Sequence, residues 1–280
     1  MQTFADELRM QGKRIGVVPT MGYLHDGHLS LINIAKQHAD IVITTIYVNP
    51  MQFAQHEDLT RYPRNLERDV QLAEMAGSDF LFLPEDNKMY PVNFKSYIEL
   101  NEVTATMEGL FRPDHFRGVT TVVAKLFNIT KPHVAVFGQK DAQQSVVIKR
   151  MTRDLNFDIE IMIAPTVREA DGLAMSSRNT YLTPSERKEA LILSRSLNLA
   201  HELIRNGERN ANSILYHMHR EFERVPGVKA EYISVVDAES LGQVDTIDES
   251  KTILIALAAR VGSTRLIDNI LIDFQRNDHE

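Results

Sequence analysis

RIGVVPTMGYLHDGHLSLINIAKQHADIVITTIYV, residues 14–48, is the stretch on which the fold class turns. Residues 14–18 (RIGVV) read as a short buried strand, residues 27–38 as a helix, and residues 40–48 (DIVITTIYV) as a second, β-branched strand. Strand, helix and strand in that order imply a right-handed parallel unit. Between the first strand and the helix lies PTMGYLHDGH, with two histidines three residues apart where the helix begins.

The alternation continues on the C-terminal side. Residues 65–76 are predicted as a helix, 79–83 (DFLFL) as a strand, 119–130 as a helix and 134–137 as a strand; a helix at 143–156 and a strand at 158–163 (DIEIMI) follow. Such alternation predicts a doubly wound parallel α/β sheet, whose ligands sit beyond the carboxyl ends of its strands. Past about Arg178 the texture changes. Thr183-Pro184-Ser185-Glu186 supplies an N-cap and a proline at the first helical position, opening a helix predicted to run to Asn206-Gly207. A helix at 212–224 is stopped by Pro226-Gly227, and strand-like runs at 230–236, 252–260 and 265–272 suggest a small antiparallel sheet. The expected organisation is an α/β domain over residues 1–174 and a smaller α+β domain over 175–280.

Composition narrows the function. With 280 residues, 43% of them hydrophobic, the chain can bury a substantial core. There is no cysteine, which removes disulfides, thiolate catalysis and cysteine-based zinc sites. No run approaches the roughly 18 apolar residues of a membrane span, and MQTFADELRMQGKR carries charges where a signal peptide needs an apolar segment. A formal charge of −7 argues against general nucleic-acid binding, which is built on clustered Lys and Arg. The expectation is a cytoplasmic protein without nucleic-acid or membrane partners.

His25-Asp26-Gly27-His28 stands where a strand ends and a helix begins, so backbone N–H groups and the positive helix end face the cleft. This is an anion site; the alternative is a surface turn with idle histidines. A zinc reading is weaker, because no third ligand follows at helical spacing. Phe137-Gly138-Gln139-Lys140-Asp141 holds a comparable position after another strand, with Lys140 as a point charge for phosphate and Asp141 as a cap or a ligand to ribose or metal. Met175-Ser176-Ser177-Arg178 lies at the interdomain linker, where two hydroxyls and a guanidinium could wrap a triphosphate as a mobile loop. Asn49-Pro50-Met51-Gln52-Phe53 brings amides beside the histidine loop. Residues 112–117 (RPDHFR) are either a basic flap over the site or a solvated loop. A histidine loop after the first strand and a basic serine-containing loop after the last together suit adenylate formation, in which a carboxylate attacks the α-phosphate of ATP and the protein orients reactants and stabilises charge.

PTMGYLHDGH, YVNPMQF, RYPRN, FRPDHFRGV, FGQKDAQQ and MSSRN, in this order and spacing, resemble the pantothenate synthetase family, and RLIDN at 265–269 carries the likeness to almost the whole chain. The resemblance implies a Rossmann-like nucleotidyltransferase domain that binds ATP and pantoate, and a C-terminal domain that closes over the site. It implies that pantoate is joined to β-alanine through a pantoyl-adenylate, with AMP and pyrophosphate released, magnesium on the phosphates, and a homodimer. Carried over by position, His28 is the proton donor or charge stabiliser, acting with His25, Lys140, Ser176, Ser177 and Arg178. Met21, Gly22, Tyr23, Leu24, His25, Asp26, Gly27 and His28 line ATP. Gly138, Gln139, Lys140, Asp141, Val167, Met175, Ser176, Ser177 and Arg178 supply the other ATP contacts, and Gln52 and Gln144 hold pantoate, Gln52 also lying near β-alanine. Gln139 departs from the family, which more often has Glu there. Members also usually begin with a short strand ahead of the helix that starts here near Thr3, so an exposed sheet edge is expected. Two other readings stay open: another nucleotidyltransferase, and a nucleotide sensor without turnover.

Overall fold

The structure, a computed structural model, describes residues 1–275. The chain begins with α1 (Gln2–Met10), β1 (Ile15–Thr20), α2 (Asp26–His38) and β2 (Ile41–Ile46), then α3 (Leu66–Met75) and β3 (Phe80–Phe82). Two short helices, α4 (Asp86–Met89) and α5 (Glu108–Phe111), precede α6 (His115–Thr130), β4 (Val134–Gly138), α7 (Ala142–Asp154) and β5 (Glu160–Ala164). The five strands form one parallel sheet in the order β3-β2-β1-β4-β5. The order reverses between β1 and β4, which pair through Val17 and Ala135, and this reversal is the place where a doubly wound sheet opens a crevice.

Side-chain alternation assigns the two faces. Val18, Val134 and Val136 pack with Leu31, Ile32 and Ala35 of α2 and Ala73 of α3. Val17, Ala135 and Phe137 meet Val123 and Phe127 of α6 and Ile148 and Met151 of α7. With both faces covered, the strands must be apolar at their centres, as 15–18 and 134–137 are.

The remaining elements are α8 (Pro184–Glu189), α9 (Ile192–Arg205), α10 (Ala211–Glu223), β6 (Val228–Asp237), β7 (Ile253–Val261) and β8 (Thr264–Ile272), the strands forming an antiparallel sheet in the order β6-β7-β8. Ile253, Ile255, Leu257, Ala259 and Val261 of β7 share a core with Leu193, Leu197 and Ile204 of α9 and Ile214, Met218 and Phe222 of α10. The fold class is therefore the expected one: a doubly wound parallel α/β sheet followed by a smaller α+β part.

Two compact units divide the chain, residues 1–139 with 147–167 and residues 140–146 with 168–280, of which 276–280 lie outside the described residues. Two details differ from the sequence expectation. The helix predicted from Pro184 to Asn206 is two helices, because the ladder tightens to i→i+3 bonds from Leu191 N to Lys188 O (3.4 Å) and from Leu193 N to Ala190 O (3.1 Å). The helix predicted from Val119 begins at His115, for a reason that lies in the site.

Candidate active site

The loop after β1 is held in a conformation it would not adopt alone. Gly22 has φ +81°, and a Cβ there would lie 2.9 Å from Ile46 Cγ2, so only glycine fits. Tyr23 also has positive φ, at 51°. Asp69, buried in the first turn of α3, holds the strained pair: its two carboxylate oxygens accept from Tyr23 N and Leu24 N, each at 2.7 Å. Arg68 donates to Leu24 O at 2.7 Å and lies 5.5 Å from the centre of the Tyr23 ring. The loop delivers His25 as N-cap of α2 and His28 on its first turn. Asp26 in the first turn and Lys36 and His38 in the last complement the helix dipole. The imidazoles are 4.0 Å apart, and His28 Nδ1 accepts from His25 N at 3.4 Å. A neutral His28 then carries its proton on Nε2.

Gln52 ends a 3₁₀ turn (Pro50–Gln52) after β2, and its amide donates to Met21 Sδ at 3.0 Å, so it lies directly against the histidine loop. Asn49 steadies the turn, accepting from Tyr90 Oη (2.8 Å) and donating to Gln52 Oε1 and Gly118 O, both at 3.2 Å. A Cβ on Gly118 would lie 2.3 Å from Met51 O, so the turn rests on bare helix backbone. The 112–117 segment closes this arrangement from below the turn. Arg112 donates to both oxygens of Glu57, at 2.5 and 2.7 Å, and to Gln52 O at 3.3 Å. His115 is buried, with Nε2 3.1 Å from Arg112 Nη1 and Nδ1 2.9 Å from Gln52 O. Facing a guanidinium donor on one side and a carbonyl on the other, the imidazole must accept at Nε2 and donate from Nδ1. Burial, with the Arg112 charge beside it, pulls the His115 pKa down to about 4. Burial opposes ionisation of Glu57, yet its bonds to Arg112 hold its carboxyl below the ordinary value. Residues 112–117 are thus an internal brace, and α6 starts at His115 because the brace organises that turn.

In the second unit, Lys140 lies on a 3₁₀ turn (Gln139–Asp141) that leads into α7, with Gln144 half-buried in the first turn of that helix. The expected mobile loop takes the form of another 3₁₀ turn (Ser177–Tyr181), capped by Ser176 Oγ, which accepts from Arg178 N. Residues 168–174 fold back on themselves through Glu169 N to Leu173 O (2.8 Å), with Gly172 at φ +93°. Asn179 donates to Glu169 Oε1 (2.7 Å) and Ala174 O (3.1 Å), and Arg187 donates to Glu169 and Asp171. Lys140 and Ser176 line one small cavity together with Asn179 and Asp268. Ser177 is buried and Arg178, Met175 and Val167 are half-buried. At Gly138, the end of β4, a side chain would meet open space.

The model of the family described as pantoate-beta-alanine ligase matches residues 1–271. The chain belongs to this family. It is 54% identical over 274 residues to the pantothenate synthetase of Chloroherpeton thalassium, covering 98% of this chain and 96% of that one. The crystal structure of pantothenate synthetase from Thermus thermophilus superimposes with a TM-score of 0.89 at 42% identity, covering 95% and 96% of the two chains. That of pantoate-beta-alanine ligase from Francisella tularensis, complexed with beta-gamma ATP and beta-alanine, gives 0.76 at 35% identity over 96% and 94%.

Within the ligase chain, the first unit brings Met21–His28 together with Gln52, and the second brings Lys140 together with Ser176. Sequence reading missed Asp69 and the Glu57–Arg112–His115 brace. The i, i+3 spacing of Arg112 and His115 was the available signal for the brace; Asp69 had none. Among the described residues no helix is long and apolar enough to cross a membrane, and no group of three His, Asp or Glu comes together to hold a metal ion.

Proposed function

We propose that the protein condenses pantoate with β-alanine at the expense of ATP, through the sites the sequence singled out. Membership of the ligase family over residues 1–271 carries the reading, and the Francisella relative complexed with beta-gamma ATP and beta-alanine supports ATP as cosubstrate. A carboxylate oxygen of pantoate attacks the α-phosphorus, and the bond to the bridging oxygen of pyrophosphate breaks. The β-alanine amine then attacks the acyl carbon of the pantoyl-adenylate, AMP leaves, and the nitrogen loses a proton.

No side-chain nucleophile takes part, so the protein contributes orientation and charge stabilisation. His28 donates from Nε2 to phosphate oxygens, with His25 beside it. The backbone of Met21–His28, opened by glycine and clamped by Asp69, follows the nucleotide. Gln52 and Gln144 hold the hydroxyl and carboxyl groups of pantoate, and Gln52 is kept in place by Arg112 and His115. Lys140, Ser176, Ser177 and Arg178 meet the phosphates; Gly138, Gln139, Asp141, Val167 and Met175 complete the nucleotide contacts. The N-terminal domain, residues 1–174 in this reading, carries the pantoate contacts and most of the ATP contacts, and the C-terminal domain, residues 175–280, supplies Met175–Arg178.

Magnesium fits this donor set. An ion held mainly by phosphate oxygens needs one or two carboxylates rather than a protein cage, and Asp141, next to Lys140, is the carboxylate offered. When bound, the ion neutralises charge on the departing pyrophosphate. The enzyme works in the cytoplasm as a homodimer.

Pyrophosphate release with MgATP and pantoate, with and without β-alanine, tests the reading. Sustained release that needs both acids, with AMP and pantothenate as products, is expected; release indifferent to either acid would overturn it. Light scattering at twice the 31.9 kDa chain mass checks the dimer.

A further inference from the structure

The strand β8 contains two adjacent buried polar residues. Asp268 is 2% exposed and Asn269 is 4% exposed, although neighbours in a strand point to opposite faces of a sheet. Their register confirms the opposition: Asp268 lies across from Leu257, on the face toward α9 and α10, and Asn269 across from Ala256, on the other. Buried polar side chains in mid-strand are costly without partners, so the partners define their use. For Asp268 the partner is Arg168, which donates to both its oxygens at 2.7 and 2.9 Å and also to Gly172 O at 3.0 Å. For Asn269 it is the main chain of Lys140: Nδ2 donates to the Lys140 carbonyl at 2.9 Å, across 129 residues of sequence.

We propose that Asn269 is a positioning residue for Lys140, and that one short piece of β8 thereby sets the spacing between two phosphate-binding elements. The inference rests on the assignment of Lys140 to the phosphates of ATP. Lys140 sits on a three-residue 3₁₀ turn, a conformation with weak internal hydrogen bonding. Its side chain is a long flexible stem, so the place where the ammonium arrives depends on where the stem is rooted. Asn269 holds that root to the sheet. The next residue, Asp268, holds Arg168 and through it the 168–174 fold from which Ser176–Arg178 continues. The result is that Lys140 and Ser176 face a common cavity that Asp268 also lines. The rigid element is a paired β-strand and the elements it sets are short turns, which is the division of labour expected of a preorganised charge-stabilising site.

The test is a double-mutant cycle on the full-length enzyme. Asn269→Asp keeps the size and removes the donor; Asn269→Leu removes all polarity; Lys140→Met removes the ammonium. Steady-state constants for MgATP, pantoate and β-alanine are measured for each variant and for the doubles, with thermal unfolding alongside. Each Asn269 variant is expected to lower kcat/KM for MgATP roughly tenfold, the effect of one well-placed hydrogen bond, while KM for pantoate and β-alanine stays within about twofold. In the Lys140→Met background the same substitutions are expected to cost almost nothing more. Undiminished loss in that background would overturn the proposal, as would a folded Asn269→Asp enzyme with unchanged ATP kinetics or with all three substrates weakened alike. If neither variant unfolds cooperatively, Asn269→Ser carries the same comparison. A Lys140→Met enzyme as fast as the wild type would overturn the assignment of Lys140 and this proposal with it, and would leave the ligase reading standing on pyrophosphate release.

Discussion

His28 occupies the first turn of a helix whose entry is fixed by Asp69 rather than by its own packing, and it is half-buried. In the role proposed for it, replacing it by alanine removes a donor to developing charge without opening the core. His28→Ala is expected to lower turnover by about 10²–10³, with cooperative thermal unfolding retained; calorimetry beside the rate assay checks both halves. His115 makes the opposite case, a histidine whose effect falls on stability. Its pKa is about 4 in the fold against 6.5 in an ordinary setting, so between those values the unfolded chain binds a proton that the folded one refuses. The stability associated with its neutral form is whole above about pH 6.5 and drains away as the pH falls toward 4, by about 3 kcal/mol in all. Urea midpoints measured from pH 7 to pH 4 should fall less steeply for His115→Gln than for the wild type. The histidines of the DGH loop could be read from sequence because strand and helix flank them closely. Asp69 and His115 could not, because their partners lie 45 and 63 residues away and only the folded chain brings them together.

Caps and glycines decide the behaviour of the elements. Thr183 caps α8 with Pro184 at the first helical position as the sequence predicted, Glu186 closing the cap into a box, and Asn65 caps α3 through Arg68 N. Such signals are local, and that is why the starts of these helices were legible. The interruption at Ala190–Leu191 was not, since nothing in PSERKEALIL departs from good helix-forming composition and the break lies in the change of bonding alone. Residues 112–117 stayed undecided for a related reason: a run of Arg, Asp, His and Arg looks the same whether it is solvated or folded around a half-buried carboxylate. Gly118, just beyond, links element packing to the turn that carries Gln52. Its missing side chain leaves room for Met51 O, so Gly118→Ala forces the 50–52 turn away from α6. A loss of roughly 1–3 kcal/mol of stability is expected. In the fraction that folds, KM for pantoate should rise more than KM for ATP, because the displaced residue is Gln52; equal changes for both would contradict its assignment.

At the scale of the whole molecule, a chain of net charge −7 is asked to bind a polyanionic nucleotide, so in the proposed reading the few cations assigned to the phosphates carry the burden. MgATP at about 100 times its Kd should stabilise the wild type by about 2.7 kcal/mol through mass action, and Lys140→Met should lose most of that gain at the same nucleotide concentration. Differential scanning fluorimetry with and without MgATP checks it. The two-part architecture was legible from the change in periodicity near Arg178, whereas the membership of 140–146 in the second unit was not, since β4 and α7 on either side read as a plain continuation of the parallel sheet. The chain therefore passes between its units at 139/140, at 146/147 and at 167/168. For anyone dissecting the enzyme genetically this forbids a clean cut: a fragment ended at residue 174 keeps the Lys140 and Gln144 codons but discards the strand on which Lys140 is rooted. Neither half can be expressed, fused to another protein or exchanged between relatives with both partners of the Asn269–Lys140 hydrogen bond in place.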